Sequence, residues 1–396
     1  MKTLSRIASN VRASTTVAID TLYKKMRADG IDVIGFGAGE PDFATPENIK
    51  QAAIHAIETN FTKYTAVAGT EGLRKAIAGR LWEDYGVSYK QDQIVVTSGA
   101  KHNVFVALMT LLNPGDEVIL PAPYWVSYYE LIMMAGGVPV VIEAREEAGF
   151  KITAEQVRAA ITEKTKAIIL NSPSNPTGMI YTREELVGIC GVCLENEIYI
   201  ISDEIYCKLT YDGKQFTSVA SISEDIKDIT ILINGASKSY AMTGWRIGFA
   251  AANERISNIM ANYLSHSTSA ASSISQMAAQ EAFGGPQDSV EKMRLAFEER
   301  RNYIVERISA IPGVSCLKPE GAFYVMMNIS QLIGKELYGT EITDSDSFAT
   351  MFLEKGLVAV VPGTGFGAPN YVRWSYATSM ENIKQGMDRL EKFLMG

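Results

Sequence analysis

Between residues 94 and 251, short apolar runs alternate with stretches whose apolar residues recur every three or four positions. The short runs are "QIVVTSG", "DEVILPA", "VPVVIEA", "KAIILNS", "IYIISDE", "ITILINGAS" and "GWRIGFAAA". They are rich in Val and Ile, and they are expected as strands. Helical periodicity marks "AKHNVFVALMTLL", "YWVSYYELIMMAGG", "TAEQVRAAIT" and "REELVGICGVCLENE". Repeated alternation of this kind predicts an α/β fold with a mostly parallel central sheet flanked by helices. From about residue 288 the pattern changes. "EKMRLAFEERRNYIVERIS" reads as a long amphipathic helix. "GAFYVMMNIS", "GLVAVVPG" and "YVRWSYAT" then read as strands, and "ENIKQGMDRLEKFLMG" as a closing helix. A large domain over 46–287 and a smaller α+β domain over 288–396 are expected, with the first 45 residues assigned to neither by pattern.

A chain of 396 residues is too long for one ordinary core, which also suggests two domains. The formal net charge of -8 argues against nucleic acid or an anionic membrane as partner. No run approaches the roughly 18 apolar residues of a membrane span, and "MKTLSRIASNVRASTTVAID" has no signal-peptide core. Cytoplasmic residence is the expectation. Cys190 and Cys193 form a C-x-x-C inside a helical stretch, where they fit a buried face better than a zinc site with no second pair. His55, His102 and His266 have no ligand-like spacing, so no metal is expected.

The candidate chemistry lies where the strands should end, the usual ligand edge of such sheets. Lys238 and Arg246 stand in "NGASKSYAMTGWRIGFA" among small and apolar residues without a carboxylate. Poor solvation there lowers a lysine's pKa and makes it a nucleophile toward carbonyls. Ser98, Gly99 and Ala100 fall between a strand and a helix, where free amides bind anions. Asn175 follows one strand, Asp203 and Tyr206 another, Ser237 and Lys238 a third, and Trp125 a fourth. Singly, each residue has an ordinary reading as turn, cap or core. Jointly they meet the needs of pyridoxal 5'-phosphate. Lys238 suits the aldehyde as a Schiff-base partner, and Asp203 suits the ring nitrogen. Asn175 and Tyr206 suit the phenolic oxygen, and Trp125 can stack on the ring. The Ser98–Ala100 turn, Ser237 and Arg246 suit the phosphate.

The segment around Lys238 resembles the lysine signature of class I aminotransferases, which are fold type I pyridoxal-phosphate enzymes. "GAGEPDFATP", "KYTAVAGTEGLRKAIA", "TSGAKH", "PYWVSY", "NSPSNPTG", "SDEIY", "GAFYV", "VVPGTGFG" and "VRWSYAT" follow in that family's order over nearly the whole chain. The resemblance implies catalytic roles for Lys238, Asp203 and Tyr206. It implies a homodimer with shared active sites, in which Tyr64 reaches the neighbouring subunit's cofactor phosphate. It places residues 1–45 as an N-terminal arm and part of the small domain. It also puts Arg373 on the substrate α-carboxylate, with Trp125 and Asn175 lining that site, and Gly39 on a loop that approaches the carboxylate closely.

Lys101 matches a lysine that bacterial aspartate aminotransferases of the most similar subgroup set against the substrate's distal carboxylate. A cation there favours aspartate, glutamate and their 2-oxo acids. The implied reaction is ping-pong exchange between L-aspartate and 2-oxoglutarate. Arg12 lies where relatives that also accept prephenate carry a basic residue, so prephenate is a second expected substrate. The alternative is an aminotransferase of aromatic or neutral amino acids on the same fold. A dinucleotide site in "IGFGAGEP" is rejected, because Glu40 replaces the third glycine and Pro41 blocks the helix. A non-catalytic regulator on this fold would carry a DNA-binding domain ahead of it, whereas the resemblance here begins at the N-terminus.

Overall fold

The computed structural model of the protein describes residues 2–12 and 15–395. Seven strands form the main sheet: β1 (Ile94–Thr97), β2 (Glu117–Ala122), β3 (Val138–Glu143), β4 (Thr165–Asn171), β5 (Tyr199–Asp203), β6 (Thr230–Gly235) and β7 (Gly248–Ala251). Their spatial order is β1-β7-β6-β5-β4-β2-β3. The strands pair in parallel except at β7, which runs antiparallel to both β1 and β6. Every residue of β1, β6 and β7 is buried, as expected for strands covered by helices on both faces. The helix Arg183–Glu195 packs Cys190 and Cys193 into the apolar layer against β4 and β5.

The strand expected over "GWRIGFAAA" starts later than the apolar run suggested. Residues Thr243–Trp245 make a 3-10 turn, and Arg246 takes a left-handed conformation with φ 56°. Strand pairing begins at Gly248, which faces Thr97 on one side and Gly235 on the other. Because β7 is antiparallel, its amino end lies at the carboxyl edge of the parallel strands. That placement brings Arg246 back beside Lys238.

The sequence pattern also left several helices unassigned, among them Glu47–Glu58, Glu71–Tyr85, Glu254–Ser265 and Ser273–Gly284. Ser273–Gly284 packs on the first two. Glu71–Tyr85 buries Leu73, Ile77 and Leu81, a narrow stripe at four-residue spacing on an otherwise polar helix.

The second block is a four-stranded antiparallel sheet of β8 (Ser315–Cys316), β9 (Tyr324–Asn328), β10 (Val361–Pro362) and β11 (Tyr371–Ser375). The helices Asp288–Ala310, Ser345–Gly356 and Met380–Met395 join it in one apolar cluster. "GLVAVVPG" is not one strand. Val358–Ala359 pairs in parallel with Ile34–Gly35, and two residues later the chain joins β11 as β10. The N-terminal segment is thereby tied to the C-terminal block, and the Phe36 ring lies 4.8 Å from the Trp374 ring. The same cluster takes in Ile205, Tyr206, Leu209 and Tyr211, so the segment after β5 is gripped by the second block.

The closest backbone approach at the carboxyl edge is at Gly248, where an added Cβ would lie 2.2 Å from the Ala100 nitrogen. Gly248→Ala is expected to destabilise the protein by about 1–3 kcal/mol or more through overpacking. Urea unfolding with an unchanged slope and a lower midpoint would show it.

Candidate active site

A cavity of about 420 Å³ opens at the carboxyl edge of the parallel strands. Residues following β1, β2, β4, β5 and β6, residues Gly37 and Gly39, and residues of β9 and β11 line it. Both blocks therefore contribute walls.

Lys238 enters from the turn after β6. Its Nζ donates a hydrogen bond to the Gly39 carbonyl. Burial draws its pKa down from 10.5 to about 8, and the Arg246 and Arg373 charges add to that, with Glu40 and Asp203 opposing. Asp203 ends β5, directly beside Asn171 at the end of β4. Its Oδ2 accepts from the Tyr128 hydroxyl at 2.6 Å, and its Oδ1 accepts from the Ile205 amide at 3.2 Å. Burial raises the Asp203 pKa, and these two hydrogen bonds oppose the rise. The carboxylate is thus held rigidly at the cavity wall, with lone pairs left for a cationic N–H.

Tyr206 is buried, and its hydroxyl lies 2.9 Å from that of Tyr324. Asn175 is fixed by its amide, which donates to Asn171 Oδ1 at 2.8 Å. Its Oδ1 accepts from Arg373 Nη1 at 2.9 Å. Arg373 Nη2 donates to the Gly37 carbonyl at 3.0 Å, while its Nε is buried without a hydrogen-bond partner. Gly39 lines the cavity, and a Cβ there would come within 3.3 Å of the Tyr324 hydroxyl. Close approach of this backbone is the reason for a glycine.

The helix Ala100–Leu111 begins at the cavity with Gly99 as its N-cap, at φ 94°. Arg246 Nη1 donates to the Thr243 carbonyl at 3.0 Å, and Nη2 reaches the Ser98 carbonyl at 3.5 Å. A Cβ on Gly99 would sit 2.4 Å from Arg246 Nη2. The guanidinium therefore lies over the turn in space that only glycine leaves free. Ser237 is buried and also lines the cavity. Helix amides, a hydroxyl and a guanidinium converge there as an anion cradle.

Trp125 meets Tyr128 edge-on at 5.2 Å, and Lys101 Nζ stands 4.8 Å from the centre of its indole. Partial desolvation lowers the Lys101 pKa, and the Arg246 charge lowers it further. Four expected residues are not in the cavity wall. Ser98 and Gly99 form the turn just ahead of it, beside the Arg246 guanidinium. Tyr64 is 99% exposed on the loop before the helix Glu71–Tyr85. Arg12 is exposed at the edge of the arm, where its amide donates to Glu130 Oε2 at 3.2 Å.

Sequence reasoning missed Tyr128, Asn171 and Tyr324. Tyr128 sits three residues after Trp125, on the inner face of its helix. That spacing was a usable signal. Asn171 is the last residue of β4, and Tyr324 lies in a strand whose motif, "GAFYV", was noted without a role for the tyrosine.

The cradle, the carbonyl-reactive lysine and the buried carboxylate fit pyridoxal phosphate, the cofactor of the fold type I enzymes. The chain matches the aminotransferases of class I and II over residues 31–390. It is 52% identical to the "Aspartate aminotransferase" of Bacillus sp. (strain YM-2), with 99% of each chain covered. It is 46% identical to the "Probable aspartate/prephenate aminotransferase" of Aquifex aeolicus (strain VF5), again over 99% of each. The structure of Thermus thermophilus aspartate aminotransferase with maleate superposes with a TM-score of 0.93 at 40% identity, covering 99% of this chain and 100% of that one. The protein belongs to the class I and II aminotransferase family, and it is a pyridoxal-phosphate-dependent enzyme.

In the cofactor-free protein, Lys238 is expected to titrate well before the solvated lysines. Pulse labelling with an amine reagent, read by peptide mass spectrometry, should give half-maximal reactivity near pH 8, since the free amine forms above its pKa. Solvated lysines should stay about two pH units higher. A Lys238 midpoint at that higher pH would contradict the burial argument.

Proposed function

We propose that the protein is an aspartate aminotransferase that exchanges an amino group between L-aspartate and 2-oxoglutarate. One observation carries the reading. Four basic side chains, Lys101, Lys238, Arg246 and Arg373, line the cavity against the single carboxylate of Asp203. A phosphate and a neutral amino acid would leave a cation over, whereas a dicarboxylic substrate matches the excess. The names of the Bacillus and Aquifex relatives and the maleate of the Thermus structure agree with this.

Pyridoxal phosphate, when bound, supplies a carbonyl for the amino group and a conjugated ring that accepts the α-carbon's electron pair. The Ser98–Ala100 turn, Ser237 and Arg246 would hold its phosphate. Asp203 would hold its ring nitrogen protonated, steadied by Tyr128. Asn175 and Tyr206 would donate toward the phenolic oxygen, and Trp125 would cover the ring. Arg373 fixes the substrate α-carboxylate, and Lys101 the distal one. Lys238 Nζ, as free amine, takes the α-proton and returns it on the other side of the exchange, which suits a pKa brought close to the working pH.

We further propose that the enzyme works as a cytoplasmic homodimer, in which the exposed Tyr64 hydroxyl reaches the partner's phosphate cradle. Residues 46–287 would form the cofactor domain, and 1–45 would join 288–396 in the small one. Among the described residues no helix is long and apolar enough to cross a membrane. Prephenate is a second acceptor on this reading. Arg12 lies beside Glu130, and its charge reaches Tyr124, a residue next to Trp125.

L-aspartate added alone to the holoenzyme should convert the cofactor's absorption band and release oxaloacetate. A band indifferent to aspartate but responsive to aromatic or neutral amino acids would move the enzyme to the alternative class. Lys101→Leu is expected to lower kcat/KM for aspartate by about 10–100-fold, the worth of a charged hydrogen bond. The same change should leave kcat/KM for L-phenylalanine nearly unaltered. With prephenate as acceptor and aspartate as donor, wild-type enzyme should form the aminated product, and Arg12→Ala should form it more slowly. An inert prephenate would remove that substrate.

A further inference from the structure

Tyr324 lies at the start of β9 with 0% of its surface exposed, yet it lines the cavity. On the neighbouring strand Ser375 is its direct partner, and Arg373 is the partner of Met326. Tyr324 and Arg373 are therefore diagonal neighbours on one face of the sheet, within reach of each other's long side chains. The ring faces the guanidinium, with the guanidinium carbon 4.4 Å from the ring centre. Phe366 faces the same group at 5.0 Å. The Tyr324 hydroxyl points the other way, to the Tyr206 hydroxyl at 2.9 Å and past Gly39. One side chain thus touches both the group assigned to the substrate carboxylate and the group assigned to the cofactor's phenolic oxygen.

We propose that Tyr324 is a positioning residue with two separable parts, its ring orienting Arg373 and its hydroxyl orienting Tyr206. The inference rests on the roles of Arg373 and Tyr206 proposed above. The ring part follows from desolvation. Arg373 is 3% exposed, and its hydrogen bonds to Asn175 and Gly37 go to neutral oxygens. An aromatic face stabilises a desolvated cation and fixes the plane of its fork. The hydroxyl part follows from direction. For Tyr206 to donate to a cofactor oxygen, its own oxygen must accept from Tyr324. Accepting that bond polarises Tyr206 and strengthens its donation. The stronger donor favours the ionised phenolic oxygen.

Two variants separate the parts. Tyr324→Phe keeps the ring and removes the hydroxyl, and Tyr324→Leu removes both. The first readout is the pH midpoint of the bound cofactor's absorption change in each holoenzyme. Lys101, Asp203, Lys238, Arg246 and Arg373 face the same space and are all retained in both variants, and Tyr324→Phe also keeps the ring against Arg373. The second readout is KM against kcat for whichever amino acid the wild-type enzyme turns over. Tyr324→Phe should raise the midpoint by about half a pH unit or more, as a lost hydrogen bond to the ionised form does, with KM within about twofold of wild type. Tyr324→Leu should show the same shift together with a KM raised by about 3–30-fold, the range of a desolvated cation–π contact. An unmoved midpoint in Tyr324→Phe overturns the hydroxyl part. A KM in Tyr324→Leu equal to that in Tyr324→Phe overturns the ring part. Tyr324→Met replaces the leucine variant if the latter fails to fold. Failure of the aspartate reading would show in the wild-type enzyme alone, before either variant is compared.

Discussion

Arg373 is a cation taken almost wholly out of water without a carboxylate partner among the described residues, and much of the site answers to that fact. An unpaired buried charge is tolerated only where other groups replace its hydration. Here the replacement comes from the Asn175 side chain, the Gly37 carbonyl and two aromatic faces. Each of these comes from a different part of the chain. Gly37 belongs to the N-terminal segment, Asn175 to the loop after β4, and Tyr324 and Phe366 to the second block. Solvating one guanidinium therefore fastens the blocks together around the cavity. Its Nε is buried with no hydrogen-bond partner among the described residues, which adds to the cost of the arrangement. The same features make it both costly to fold and selective for a carboxylate.

The direction of a single strand explains the spacing of the other two cations. Lys238 follows a parallel strand, so it naturally stands at the carboxyl edge. Arg246 precedes an antiparallel one, so it arrives at the same edge from the opposite direction. The chain from Lys238 to Arg246 passes through the 3-10 turn and ends on the left-handed Arg246, and these reverse it. A parallel β7 would have carried the arginine to the far end of the sheet. Gly235 and Gly248, opposite each other in the register, let the two strands meet where the helix Ala100–Leu111 also begins.

The strands of the main sheet were legible because strands buried on both faces carry apolar runs, as Ile231–Ile233 of β6 and Phe249–Ala251 of β7 do. The residues after them were legible as chemistry because polar groups at those points have few structural jobs in common. Tyr324 was not legible, since a tyrosine in "GAFYV" has the same appearance whether its ring packs in a core or faces a guanidinium. The helix Glu71–Tyr85 escaped for another reason: its buried stripe is three residues wide against mostly charged neighbours. The start of β7 was misplaced because Trp245 and Ile247 are apolar for packing reasons, while Arg246 between them needs a conformation that no strand has. Arg12 and Tyr64 can be understood only with the chain's surroundings, because neither touches the cavity of its own chain.

The excess of positive charge in the cavity also links ligand binding to the basicity of Lys238. Burial is the main cause of its lowered pKa, but Arg246 and Arg373 contribute through their charges. A phosphate beside Arg246 and a carboxylate on Arg373 would cancel those two contributions. Burial would remain. The lysine's proton affinity is therefore not a fixed property of the fold. Burial sets most of it, and anions placed on Arg246 and Arg373 would raise it from there, making the amine a stronger base. The single carboxylate in the cavity, Asp203, acts in the same direction, since its charge also raises the lysine's pKa. Tyr128 and the Ile205 amide hold it in the cavity wall. An acidic chain can thus maintain a strongly cationic pocket. Among the described residues its other acidic side chains lie outside the cavity lining, and the one acid admitted to it is tied down by Tyr128 and the Ile205 amide.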